Sequence, residues 1–395
     1  MTKRLSRRVF VRGAAAASAI AAADCYFNLN RYRLQAASGR EYSERAVRLV
    51  RENIVIDMLG LLSLNRSVQR SWSAGADNLT TAQFERLLSS GINVFHDARP
   101  SGRSNPASFG RFESALQFIA DQNALIAGND TRLMRIDSAA DLNRVHGSGK
   151  VGVLLGIQDA SHFRTPDDVQ LFHEMGQRVS QLTYNSRNLI GTGSTERNDS
   201  GISDFGVAII ERMNAVGMAV DVSHCGERTT LEAFEISKRP VVITHSNVRA
   251  LADGNPRTKT DDAIRAVKKS GGVMGITGVR NFVKGSEPTT IEDLLDHFDY
   301  VKKLIGSEHL GIGSDIDLDG YDDMPAEQDK QLRAAYKSSY GFRAKLDIDE
   351  VAHPLRMYDL VEGLIRRKYS DAEIVGIIGG NFKRVLSEIW TVSAQ

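Results

Sequence analysis

Two short apolar runs in "MAVDVSHCGERTTLEAFEISKRPVVITHSN" each end on an imidazole: Ser223 and His224 close the first, Thr244 and His245 the second. Further along, "GIGSDID" closes another apolar run on Asp315, with Asp317 two residues later. Neutral imidazoles and carboxylates are ligands for Zn2+, and an ion held with one position open turns water into a nucleophile near neutral pH. Asp315 could complete such a ligand set, or act as the base that handles the proton. Gln158 in "LGIQDA", and Tyr184 and Asn185 in "LTYN", follow two other apolar runs and would face the same place if all these runs ended at one mouth.

The elements that would bring them together recur at a steady beat. Strands are expected at 54–57, 92–95, 151–157, 180–184, 218–222, 241–244, 272–277 and 310–314. Amphipathic helices are expected at 81–90, 167–178, 204–215, 228–237 and 261–270, several opening on a Ser, Thr or Asp suited to capping. The strand runs are nearly all apolar, as parallel strands covered on both faces should be. Eight of them alternating with helices predict an α/β fold, a single (β/α)8 TIM barrel. A doubly wound open sheet is the alternative, but no Gly-rich phosphate turn follows the first strand. In a barrel the functional side chains sit at the C-terminal strand ends, where His224, His245 and Asp315 would converge. Residues 321–348 read as an excursion or lid after the eighth strand. Helices at 354–367 and 371–386 close the fold, and no linker marks a second domain.

Composition excludes several classes. The 395 residues are 42% hydrophobic and 25% charged, as in an ordinary globular chain. A net charge of +1, with no basic stripe interleaved with aromatics, gives no case for nucleic acid. Two cysteines, Cys25 and Cys225, make neither a disulfide framework nor a thiolate metal site, although one pairing stays open. The paired arginines of "SRRVFVRG", followed by "AAAASAIAAA", resemble a twin-arginine export signal over 1–23, read by the twin-arginine machinery. The stretch is too short and Ala-rich for a stable membrane span. Its removal takes away five of the 50 Lys and Arg and none of the 49 Asp and Glu, turning the net charge from +1 to −4. The mature chain, 24–395, is expected in the periplasm, with its oligomeric state open.

"VDVSH", "PVVITHSN", "NPRTKTDDAIRAV", "GIGSDID" and "GGNFKRVL", in this order, together resemble the membrane dipeptidase (renal dipeptidase) family of metal-dependent amidohydrolases. The resemblance covers roughly 54–386. It implies a barrel that cleaves dipeptides or related amides with two zinc ions. His224 and His245 stand where the family has ligands of one zinc. Arg257 stands where an arginine grips the substrate carboxylate, a geometry its fork suits. Asp315 stands at the aspartate that handles the proton.

Other positions depart from the family pattern. Its first strand ends Asp-Gly-His-Asn-Asp, with the His and the last Asp binding the second zinc. Here "VIDMLGLL" keeps Asp57 but puts Leu59 and Leu61 at the ligand positions. The glutamate that bridges both metals is Gln158, and the strand-four histidine that contacts substrate is Tyr184, so both are candidate substrate-binding residues. The expectation is therefore one zinc rather than two. "VFHDA" offers His96 and Asp97 near the vacated position, as substrate contacts, structural residues or replacement ligands. Asp159, Asn188 and Glu196 line the same mouth or make ordinary turns. Two functions compete: an exported metal-dependent hydrolase acting on a dipeptide or small amide, and an inactive homologue serving as a periplasmic binding or pathway-accessory protein.

Overall fold

The computed structural model describes residues 31–35, 39–74, 78–99 and 111–391; the expected export signal and Cys25 lie outside them. Eight parallel strands form the barrel: β1 (Ile56–Asp57), β2 (Val94–Arg99), β3 (Val151–Ile157), β4 (Gln177–Gln181), β5 (Ala219–Asp221), β6 (Ile243–Ser246), β7 (Met274–Ile276) and β8 (Leu310–Ile312). Neighbours run β5-β4-β3-β2-β1-β8-β7-β6. The ring closes where Asp221 bridges in parallel to Val242, with Val242 N–H donating to Val220 O at 2.9 Å and Val222 N–H to Val242 O at 3.1 Å. This is the closed sheet that the alternation of runs predicts, not the open one. An extra strand, Leu133–Arg135, pairs with the first half of β3, and a two-stranded antiparallel ribbon joins Arg31–Tyr32 to Tyr42–Ser43.

The helices begin and end where local chemistry says they should. Ser203 caps Asp204–Val216 through Gly206 N–H, and Gly217 ends it at φ 79. Thr260 caps Asp261–Ser270 through Ala263 N–H, and Gly271 ends it at φ 77. A polar cap of this kind contributes about 1 kcal/mol, and glycine takes the left-handed position without a Cβ clash. The interior of the barrel is filled by residues such as Ile56, Val94, Leu154, Val179, Ala219 and Val242, all buried.

The fourth strand differs from expectation. It lies at Gln177–Gln181 rather than 180–184, because its helix, Pro166–Glu174, already stops before Gly176 at φ 109. Its apolar pattern is masked by buried amides that find internal partners. Gln177 bonds His162 and the Val179 carbonyl. Gln181 donates to the carbonyls of Gln158 and Thr183, both at 2.8 Å. No helix among the described residues is long and apolar enough to cross a membrane.

Candidate functional site

His224 follows β5, and His245 lies within β6. Both are buried, and their Nε2 atoms stand 3.0 Å apart. The Nδ1 partners decide what those atoms carry. His224 Nδ1–H donates to Asn185 Oδ1 at 2.8 Å. Thr244 Oγ1 gives its own hydrogen to Asp221 Oδ2 at 2.8 Å, and so accepts from His245 Nδ1–H, also at 2.8 Å. Burial, then the charges of Arg257, His96 and Lys259, hold the His245 pKa well below the ordinary histidine range, so its ring is neutral. The His245 Nε2 lone pair therefore faces His224 Nε2. A proton on His224 Nε2 makes the contact an N–H···N hydrogen bond, and without that proton two lone pairs meet and call for a cation between them. Two nitrogens about 2.0–2.1 Å from one tetrahedral zinc would be roughly 3.3 Å apart, close to the separation seen. The pair fits a single divalent ion.

Asp315 follows β8, two strands round the mouth from β6. It sits in the left-handed backbone region at φ 62, as Asn185 does at φ 57; such residues cost of order 1–3 kcal/mol and collect at functional sites. The residue before it is pinned: Asp57, at the end of β1, accepts from Ser314 N–H at 2.8 Å, Ser314 Oγ at 2.6 Å and Arg356 at 3.0 Å. Burial raises the Asp315 pKa to about 7, against the lowering influence of Arg257 and a hydrogen bond from Tyr321. A carboxyl near neutrality is suited to taking and returning a proton. Asp315 is not a third ligand in this arrangement. Among the described residues, no three His, Cys, Asp or Glu side chains group closely enough to hold a metal.

Residues 321–348 fold over the mouth. They carry the helix Ala326–Ala334 and the short turn Ser338–Tyr340. Tyr184 stacks on the His224 ring at 4.0 Å and 19°, and its hydroxyl meets that of Tyr336 at 2.6 Å. Tyr321 reaches Asp315 at 3.5 Å. Lys337 reaches Glu196 at 2.9 Å, tying the cover to the loop after β4. Tyr321 and Tyr336, unlike Tyr184, carry no motif and were not singled out from sequence.

Arg257 is fully buried and turned toward the backbone. Its Nη atoms donate to the carbonyls of Ser223 and His245 and to Ser246 Oγ, and its Nε finds no partner among the described residues. Lys259, two residues on, donates to Val222 O at 2.7 Å, Cys225 O at 3.1 Å and Thr230 Oγ1 at 3.1 Å. Burial lowers its pKa to about 7. The segment "RTK" thus clamps the carbonyls that flank both imidazoles.

Comparison with known proteins decides the family. The model of "Membrane dipeptidase (Peptidase family M19)" matches residues 43–335. The chain belongs to the membrane dipeptidase family. Dipeptidase verJ of Clonostachys rogersoniana is 30% identical over 293 residues, 73% of this chain and 68% of that protein; other curated relatives are spanned over only about half their length. An amidohydrolase from Pseudomonas aeruginosa has 27% identity and a TM-score of 0.73, covering 87% of this chain and 99% of its own. A metallopeptidase from Rhodobacter sphaeroides, liganded with a phosphinate mimic of L-Ala-D-Ala, shares the fold at 18% identity, with a TM-score of 0.69 and coverage of 86% and 100%. The chain is thus a hydrolase of a metal-dependent dipeptidase family.

Within this dipeptidase-family barrel, two of the positions that depart from the pattern, Leu59 and Leu61, lie in an apolar patch. Leu59, Leu61, Leu64 and Ala98 pack together, with Tyr321 and Met324 against them. A cavity of about 330 Å³ opens beside them, bordered by Leu62, Leu64, Trp72, Arg86, Asp317 and Met324; neither imidazole lines it. Gln158 donates to Ala98 O at 2.8 Å, while its Oε1 finds no partner among the described residues. His96 points into the barrel, with Nδ1 on Met58 O. A Cβ on Gly156 would lie 2.1 Å from its Nε2, so only glycine admits the ring. Asp97 accepts from Gln69 at 3.1 Å, and burial raises its pKa. Asp317 takes the backbone N–H groups of Leu64, Asp319 and Gly320, as a turn residue. Asp159 and Asn188 bond each other and neighbouring loop backbone. Cys225 is buried and accepts from Thr183 at 3.2 Å.

Proposed function

We propose that the chain hydrolyses dipeptides or small amides with one metal ion, zinc, shared by His224 and His245. The observation that carries this is the pair of buried Nε2 atoms facing each other at 3.0 Å. A bound divalent ion there would supply Lewis acidity to the scissile carbonyl and lower the pKa of water. Asp315 holds and returns the proton, with Tyr321 steadying its carboxyl. Tyr184 and Gln158 border the substrate. Tyr184 does so from the face of His224, Gln158 through an Oε1 open to a donor such as an amino group. Tyr184, Tyr336 and the rest of residues 321–348 exclude water from the imidazoles while a small substrate is held. Dipeptidase verJ is named for dipeptide cleavage, which supports the same substrate class here. The leucine patch at positions 59 and 61 supports one ion rather than two, because it offers no donor atom where a second would sit.

The same patch favours a second reading, a periplasmic binder without turnover, and the two separate in one experiment. Purified chain with about one equivalent of zinc is assayed on L,L and L,D dipeptides. Release of free amino acids that vanishes in His224→Ala supports the hydrolase. Binding of dipeptides without release would establish the binder. Export belongs to the proposal as well, on the strength of "SRRVFVRG" and the apolar run after it. A mature N-terminus at Asp24 in the periplasmic fraction is the expected result. An intact N-terminus in the cytoplasm would refute it.

A further inference from the structure

Asp221 lies two residues before Ser223, on the last position of β5, and touches neither imidazole. It nevertheless collects four hydrogen bonds, divided unequally between its oxygens. Oδ1 accepts from Ser223 N–H at 3.0 Å, Ser223 Oγ at 2.5 Å and Thr244 N–H at 3.1 Å. Oδ2 accepts only from Thr244 Oγ1, at 2.8 Å. Ser223 Oγ in turn accepts from His245 N–H at 3.1 Å, so the carboxylate fastens the tips of β5 and β6 where the barrel closes.

We propose that Asp221 is a positioning residue that sets the tautomer of His245 through the Thr244 hydroxyl. A carboxylate oxygen can only accept, so the Thr244 hydrogen must turn to Oδ2. The Thr244 oxygen then faces His245 Nδ1 as an acceptor and holds the ring proton on Nδ1. The lone pair is left on Nε2, where it faces His224. Direction in this chain runs one way, from Asp221 to Thr244 to His245, and it is fixed by charge type rather than by packing. Outer partners of this kind fix the ring orientation and tautomer of metal-binding histidines. The assignment rests on the one-ion reading for its purpose, but not for its existence.

The unequal division makes a clean perturbation. In Asp221→Asn the amide oxygen can keep all three bonds of Oδ1, while the amide NH2 takes the place of Oδ2 and donates to Thr244 Oγ1. Thr244 Oγ1 also lies 3.0 Å from Ser223 Oγ, a second acceptor for its hydrogen. With Ser223→Ala added to close that route, the threonine must donate to His245 Nδ1, the ring proton moves to Nε2, and the lone pair facing His224 is lost. Nitrogen NMR of metal-free protein reads this directly, with the His245 signals assigned by their loss in His245→Gln. The expected result is an Nδ1-protonated ring in wild type and an Nε2-protonated ring in the Asp221→Asn, Ser223→Ala double variant. Zinc affinity should fall roughly tenfold or more. Should the double variant fail to fold, Thr244→Val breaks the relay at its middle and should also lose affinity, while Thr244→Ser restores both tautomer and affinity. The same tautomer in wild type and the double variant, or Thr244→Val with unaltered tautomer and affinity, overturns the proposal. A tautomer switch in protein that takes up no zinc at all would uphold the relay and discard the one-ion reading.

Discussion

Removing the Arg257 guanidinium separates two roles for that side chain, substrate clamp and backbone clamp. In Arg257→Ala the carbonyls of Ser223 and His245 lose a charged donor in a fully buried setting. A buried acceptor left without its partner costs about 1–3 kcal/mol, so the pair costs about 2–6 kcal/mol. At roughly 2 °C per kcal/mol for a chain of this size, Tm should fall by about 4–12 °C. Both carbonyls adjoin the imidazoles, so zinc affinity should fall in step. Arg257→Lys cannot serve two carbonyls with one planar fork and should recover only part of the loss. Thermal unfolding with zinc titration of the three proteins is the assay. An unchanged Tm, with KM raised only for substrates bearing a free carboxylate, would refute the backbone role and return Arg257 to the substrate.

Four further outcomes are expected. Asp315 should give kcat/KM a limb rising with pH and centred at about 7, absent in Asp315→Asn; a profile flat from pH 5 to 9 would exclude it as the group that takes the proton. The same carboxyl titrates near 3.9 when unfolded, so the folded state takes up a proton between those values. Stability of metal-free protein should therefore decline as pH rises from about 4 to about 7, and the loss of this slope in Asp315→Asn is the check. Leu59→Ala should destabilise by about 2–5 kcal/mol through the cavity it leaves while zinc content stays unchanged; altered zinc content in denaturant-characterised protein would place Leu59 at a metal site after all. Tyr336→Phe removes the hydroxyl contact to Tyr184, worth about 0.5–1.5 kcal/mol, and should speed hydrogen exchange of Ala326–Ala334; unchanged exchange would show that this contact does not hold the cover down.

Much of this arrangement is legible in the sequence because parallel strands write themselves as apolar runs, and the residue after each run must face the mouth. His224, His245 and Asp315 are readable on that ground alone. Gln177–Gln181 is not, since its buried amides bond His162, Gln158 O and Thr183 O, contacts made only after folding. Arg257 shows the limit of carrying a role by motif. Its type suits a substrate carboxylate, yet the backbone around it folds so that two carbonyls claim its fork first. Tyr321 and Tyr336 lie in a segment with no periodic pattern, and their positions depend on how residues 321–348 return over the barrel. Leu59 and Leu61 read as missing ligands in sequence; their packing with Leu64 and Ala98 is a tertiary fact. Asp221 reads as one more polar residue at a strand end, and only the division of its hydrogen bonds gives it a direction.

The most direct measurement is metal stoichiometry by elemental analysis of purified chain, its His224→Ala and His245→Ala variants, and a Leu59→Ala control. Sharing of a single cation by two imidazoles predicts about one zinc per chain, close to none in either histidine variant, and no change in the control. Two ions per chain, or one ion retained without either histidine, would contradict the account.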